Sequence, residues 1–413
     1  MVPKFLLAFG LALAPFIFSH TMDSRLPKEM FCLTVALSIV LVCIYQGQWK
    51  PFKNKWFLLL VWFVLLSIHC APVLWDYSMI HYKTPTSFQM FRNFTISEWH
   101  YKPLAYSLIY GLLLISVASI DFSEWDLRMA VSIMAFAGFI MGAYVLVQYI
   151  GGLDQFFKIA SVDQNARIRD VTQPLLFGTL GNSTIVSAFI AMAIPLALYL
   201  RKWIWAIVMC VAVVLTESKM AIGSMAVSSV VYVFWRYKPS LILSLVFFSV
   251  LSFGIYQYTA GKGGVISYIA SNDSARIGNW KDALTELKGK QDKTGRPFAI
   301  TGLGPGSYRN VYVVKSGSIF EQAHNDPLEL LICLGIVGFT LFGLSLWELI
   351  KRVFSLFKYK FLNDGLVIAL SCSFLCIFLD SLGSFPFQIH PILFYTIVIV
   401  GILYNPCLDK GDL

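Results

Sequence analysis

The chain is 413 residues long, 57% hydrophobic and only 13% charged, where soluble domains average roughly 25% charged. That apolar excess is too large for one water-excluded core, so a soluble globular protein is excluded and much of the surface must face lipid. The net charge of +9 lies mostly in loops between apolar runs, with no basic helix interleaved with aromatics, which excludes nucleic acid as a partner.

In chain order, twelve apolar stretches come close to the roughly 17 to 25 residues that suit a bilayer: 4–19, 28–46, 56–75, 104–120, 127–150, 183–200, 202–216, 220–236, 239–258, 327–350, 364–382 and 386–404. They predict an all-α polytopic integral membrane protein of about 12 transmembrane helices. Residues 1–258 carry helices 1–9, residues 259–325 form a large periplasmic loop between helices 9 and 10, and residues 326–413 carry helices 10–12 and a short cytoplasmic tail. The first run looks like a signal peptide. Pro15 interrupts it, however, and no small-x-small cleavage site follows before Asp23, so it is expected to be retained.

Lysine and arginine set the expected orientation. Lys50, Lys53 and Lys55, then Arg201 and Lys202, Arg236 and Lys238, and finally Lys351, Arg352, Lys358 and Lys360 occupy one set of short loops, which should be cytoplasmic. The loop with Asp121, Glu124 and Asp126 falls on the same side, but carboxylates count little in this rule. Thr259 to Asn325 is long enough to be exempt and can be translocated despite its basic residues.

The spans are almost free of charge. Apart from Glu329 near the start of the tenth and His390 in the twelfth, ionisable groups keep to span ends. Proton- and ion-coupled transporters place such groups at bilayer depth, so the chemistry belongs to the exported surface. The eight cysteines lie within or beside spans, without a CxxC pair, which argues against a disulfide framework and against a zinc or redox motif. Cys372 and Cys376 share a helix face and read as buried thiols.

Long loops inside compact proteins tend to be functional, and the 67-residue stretch from Thr259 to Asn325 is the longest here. It carries nine basic residues against five acidic ones, among them Arg276, Lys281, Arg296, Arg309 and Lys315. Such a balance suits an anionic ligand, with arginine forks matched to phosphate oxygens, or simple contact with anionic lipid. Ser274 to Leu287 has the spacing of a short amphipathic helix that places Trp280 on its apolar side. Gly302 to Gly306 reads as a tight turn; no Lys-Ser/Thr follows it, so a nucleotide loop is not indicated. His324 ends the loop and can be either a general base or a helix cap, and Asn325 and Asp326 are also good N-cap residues. Two further exported connections run over 76–103 and 151–181, the second holding Arg167, Arg169 and the approach to Asn182. No exported pattern makes a metal site.

Four pieces in order carry a family resemblance: Gly178-Thr179-x-Gly181-Asn182, Thr216-Glu217-Ser218-Lys219, Ala275-Arg276-Ile277-x-x-Trp280, and Gly302-Leu303-Gly304-Pro305-Gly306 followed by Ala323-His324-Asn325-Asp326-Pro327 and Gly335-Ile336-Val337-Gly338. Over residues 175–340 the chain resembles the O-antigen ligase and O-antigen polymerase superfamily of bacterial membrane glycosyltransferases. The resemblance implies a multi-pass inner-membrane enzyme with its active site facing the periplasm. It would use an undecaprenyl-diphosphate-linked glycan donor and a lipid A-core or glycan acceptor, among membrane lipids, with no cofactor and no metal. By matching position, the implied catalytic residues are His324, Arg276 and Lys219. Lysine at 219 departs from the family's arginine, keeping the charge and losing the planar fork. Arg167, Arg169, Asn182, Trp280, Arg309 and Asn325 are candidate substrate-binding residues. The preferred function is an inverting, metal-independent O-antigen ligase. The alternatives are a repeat-unit polymerase, a related protein O-glycosylating enzyme, and, from a different class, a lipid-linked oligosaccharide transporter.

Overall fold

A computed structural model of the protein describes residues 1–17, 25–50, 105–150, 176, 178–237, 280–281, 284–285, 298–302, 323–358 and 364–408. Among these residues the regular structure is helical throughout: α1 (Val2–Leu13), α2 (Arg25–Tyr45), α3 (Ala105–Ser119), α4 (Glu124–Ile150), α5 (Ser183–Tyr199), α6 (Trp203–Leu215), α7 (Lys219–Tyr237), α8 (Phe298–Thr301), α9 (Asp326–Lys358), α10 (Asp364–Ser381) and α11 (His390–Leu403). Three of them, within α2, α4 and α9, are long and apolar enough to cross a membrane, and six more are shorter apolar helices. The chain is a membrane protein. The expected third and ninth spans, at 56–75 and 239–258, lie outside the described residues.

At the centre stands α5. Every residue from Ile185 to Leu198 is buried, so it is wrapped on all sides rather than showing one apolar stripe. It packs against α4, α6, α7 and α10. Its start is set by Asn182, whose side-chain oxygen accepts the Thr184 N–H at 2.8 Å, the usual device for an otherwise orphaned first-turn donor. Small residues bring neighbours close. A Cβ on Gly138 of α4 would stand 2.3 Å from Ala193 Cβ.

The outer helices close around this centre. Helix α1 packs on α2 and α4, and α11 on α2 and α10, with the Tyr395 hydroxyl bonded to the Leu11 carbonyl. Helix α1 stops at Leu13, earlier than the apolar run suggests, because Pro15 cannot continue it.

The polar contacts sort the helix ends into two rims. At one, Lys4 pairs with Asp126 at 2.6 Å, Arg352 donates to the Leu403 carbonyl at 3.0 Å, and Asn405 donates to the Val117 and Ile120 carbonyls at 3.0 and 2.7 Å. Arg128, Arg201, Lys202, Arg236 and Lys351 stand at helix ends on this same side. The opposite rim gathers the starts of α2, α5, α7, α9 and α11, and the end of α10. His390 belongs there too. The sequence pattern put it inside a span, but Ile389 is extended and α11 begins at His390 itself.

Two features break the expected continuity of the spans, one within the tenth and one at the start of the twelfth. Helix α9 has a non-helical residue at Gly335, with φ 64° and ψ −167°, so Asp326–Leu334 forms a half-helix of its own. The last stretch before α11 is not helical either: a single 3-10 turn, Pro386–Gln388, lies between α10 and α11.

Candidate functional site

The rim opposite the basic one is organised by residues 382–389, the connection between α10 and α11. On one side it meets the turn between α6 and α7. Thr216 ends that turn's first arm, its hydroxyl donating to the Val213 carbonyl at 2.7 Å; Glu217 has φ 56°, and Lys219 opens α7. A Cβ on Gly383 would lie 2.6 Å from Met220 Cγ, so glycine lets the 382–389 backbone approach the residue next to Lys219. Lys219 thus stands at a helix N-terminus, where the backbone dipole is already positive. A cationic side chain at the positive end of a helix is suited to an anion.

On its other side the same connection holds the start of α9. The Asn325 side-chain oxygen accepts the Leu328 N–H at 2.9 Å and its amide donates to the Leu382 carbonyl at 2.8 Å. Asp326 accepts from the Phe387 N–H and from the Gln388 side-chain amide, both at 3.0 Å. Asn325 is therefore the cap, and Asp326 is a tertiary tie rather than a competing cap. His324 precedes them in a left-handed conformation, φ 51°. Its ring packs edge-on against Phe385, with centroids 4.9 Å apart. The residue N-terminal to it is fixed as well: the Ala323 carbonyl accepts the Trp280 indole N–H at 2.7 Å, and the Ala323 N–H donates to Glu329 at 3.0 Å.

Beneath this layer lies Asp380, in the last turn of α10 and fully buried. Neither of its carboxyl oxygens, nor the hydroxyl of buried Ser384, makes a hydrogen bond of normal geometry. Charge at a span end gave no sign in the sequence that this carboxyl would be enclosed.

A second layer borders the site through the Gly178-Thr179 turn. Buried Lys28 donates to the Thr179 carbonyl at 2.6 Å, the Thr179 hydroxyl to the Pro15 carbonyl at 2.5 Å, and the Gly178 N–H to Gln148 at 2.9 Å. Gly178 has φ 54°, a conformation glycine adopts without cost. Nearby, the Tyr110 hydroxyl and His390 Nδ1 are 2.9 Å apart, and His390 Nε2 is 3.9 Å from Glu29.

The structure therefore brings Lys219, His324, Asn325 and Trp280 to one rim, the first through Gly383 and the others through Phe385, Leu382 and Ala323. Trp280 reaches the site through its indole N–H on the chain beside His324, in a helical stretch as its spacing suggested. Asn182 is on the same rim, with its amide oxygen engaged as the α5 cap. Arg276, Arg309, Arg167 and Arg169 lie outside the described residues. Among the described residues no group of His, Cys, Asp and Glu is arranged to hold a metal ion.

Residues 204–343 match the family model described as O-antigen ligase. That stretch runs from α6 to the middle of α9 and includes Lys219, Trp280, His324, Asn325 and Asp326, but not the 382–389 connection that joins them. A comparison with curated proteins finds no match.

Proposed function

We propose that the chain, whose residues 204–343 match the O-antigen ligase family model, is an O-antigen ligase, moving a glycan from undecaprenyl diphosphate to the lipid A-core oligosaccharide. The observation that supports this reading best is the convergence of the Lys219 and His324 turns on residues 382–389 at a single rim. That rim is opposite the one bearing Lys4, Arg128, Lys202, Arg236 and Arg352. With the basic rim cytoplasmic, the site faces the periplasm of a bacterial inner membrane, where carrier-linked glycan is presented.

The chemistry follows from the groups in reach. The acceptor hydroxyl attacks the anomeric carbon, a new C–O bond forms there, and the bond to the diphosphate oxygen breaks with its electron pair leaving on the carrier. His324 takes the hydroxyl proton. Lys219, with Arg276 from the loop, stabilises the negative charge that builds on the leaving diphosphate. Attack opposite the leaving group inverts the anomeric centre, and no metal is needed for either role. Asn325 and Trp280 hold the His324 turn against the acceptor side.

Purified protein given a carrier-linked glycan and either lipid A-core or a second carrier-linked unit decides between ligase and polymerase. The ligase reading expects glycan on lipid A-core alone. Surface polysaccharide after gene deletion gives the same decision in cells. Carrier-linked chains of normal length left unligated support the ligase, whereas single repeat units on the core would make the protein a polymerase.

A further inference from the structure

The break in α9 is filled by main chain from the large loop. An ideal Cβ on Gly302 would stand 2.3 Å from the Cys333 carbonyl oxygen and 2.5 Å from Gly335 N, and one on Gly335 would stand 2.3 Å from the Ile300 carbonyl oxygen and 2.5 Å from Gly302 N. Real side-chain carbons do not come that near backbone atoms, so only a pair of glycines permits the crossing. Both have positive φ, 75° at Gly302 and 64° at Gly335, and the φ, ψ pair of Gly335 is in a region that is essentially glycine-only. Helix α8, Phe298–Thr301, leads the loop chain into the break and packs on α9.

The break also frees the half-helix Asp326–Leu334 from the direction of the rest of α9. Two clamps then set its orientation. Its N-terminal end is tied to 382–388 through Asn325 and Asp326. Its C-terminal end is seated on residues 300–302, nine residues or about 13 Å of helix away from His324. Irregular backbone in a membrane protein is tolerated where other protein covers it, and here the loop itself supplies the cover.

We propose that the Gly302–Gly335 crossing is the positioning element that aims His324, making docking of the loop on the α9 break a condition for transfer. This rests on the ligase reading for the role of His324, and on the glycine geometry alone for the docking. A docked half-helix presents His324 in one direction. An undocked one retains its tie to 382–388 and pivots there, displacing Glu329 and with it the Ala323–His324 turn that Glu329 holds, so the base loses its aim while the diphosphate site around Lys219 stays intact.

The test uses the full chain in nanodiscs, with Gly335→Ala, Gly302→Ala and, as control, Gly343→Ala, whose added carbon meets nothing within 4 Å on the same helix. Hydrogen exchange of the peptide covering 298–302 reads docking, and steady-state transfer reads positioning. In both crossing variants that peptide should exchange about tenfold faster. Their kcat should fall about 100-fold, the cost of misplacing a reacting group by about 1 Å, with KM for the lipid donor within about threefold of the parent. Gly343→Ala should match the parent throughout. Retained protection in both crossing variants overturns the docking, and lost protection with parental kcat overturns the positioning. A rise in KM with unchanged kcat assigns the crossing to donor binding and overturns it equally. Should Gly335→Ala fail to fold, Gly302→Ala carries the test from the loop side. A parent that transfers to no acceptor defeats the ligase reading and the positional role with it, while exchange still decides the docking.

Discussion

Asp326 and Phe387, 61 residues apart, are joined by a hydrogen bond of 3.0 Å from the Phe387 N–H to the Asp326 carboxylate. With the Gln388 amide on the other carboxyl oxygen, it fixes the start of α9 to the connection ahead of α11. Asp326→Ala strands the Phe387 N–H, at about 1 to 3 kcal/mol for a buried group left unpaired, while the Gln388 side chain keeps the Glu329 carboxyl as a partner. The variant should unfold at a clearly lower SDS fraction than the parent, and Asp326→Asn, which keeps one acceptor, should fall between them. An unchanged midpoint for Asp326→Ala means the tie contributes nothing to stability.

His324→Gln separates a base from a hydrogen-bonding spacer. Glutamine still donates and accepts but takes no proton at neutral pH, so transfer by the purified variant should drop about 100-fold or more while the lipid donor still binds. Near-parental turnover would remove His324 from the chemistry.

For Lys219 the informative comparison is between two replacements. Lys219→Ala should lose about 100- to 1000-fold in kcat, the range for deleting one charge-stabilising contact. Lys219→Arg should be tolerated, since it restores the charge with a fork suited to diphosphate. Should Lys219→Ala turn over as the parent does, the diphosphate site lies elsewhere.

Trp280→Phe removes one donor and little else. Loss of the indole bond to the Ala323 carbonyl should lower stability by about 1 kcal/mol and lower kcat more than it raises KM, because the turn it steadies carries His324. A change confined to KM would instead make Trp280 a sugar-stacking residue.

Asp380→Asn addresses the enclosed carboxyl below the site. A fully buried carboxyl with only the Ser384 side chain beside it is poorly compensated, so a neutral isostere should leave the unfolding midpoint unchanged or raise it. A large drop would show that the carboxyl has a partner on which the fold depends.

Much of the helical frame was legible because apolar runs with clear boundaries dictate it: α5 starts where Asn182 caps it, Trp280 falls on a helix as its spacing suggested, and Lys219, expected in the turn before the eighth span, is the first residue of α7. The hub of the site was not. Residues 382–389 act through the Leu382 carbonyl, the Phe387 N–H and the small size of Gly383, and main-chain groups leave no side-chain signature. Gly335 was singled out only as part of a family-like motif inside an unbroken apolar run, and the close approach of Gly302 is what makes it a break in the helix. His390 looked embedded because the apolar run begins before it, whereas Pro386 and Pro391 delay the helix to that residue. Asp326 was readable as a cap by type, but its carboxyl is taken by Phe387 and Gln388 and the Leu328 N–H goes to Asn325, a tertiary fact.

The bond from Asn405 to the Val117 and Ile120 carbonyls bears on the order in which the chain assembles. Those carbonyls close α3 and are synthesised some 285 residues before their partner. Until α11 arrives, α1, α2 and α3 present to the bilayer a seam that the finished protein hides, including the Leu11 carbonyl that Tyr395 later takes. The first helices therefore wait for the last one. A chain cut short before Asn405 would leave the translocon with its opening helices inserted and that seam open to lipid, a substrate for membrane quality control rather than a partly working enzyme.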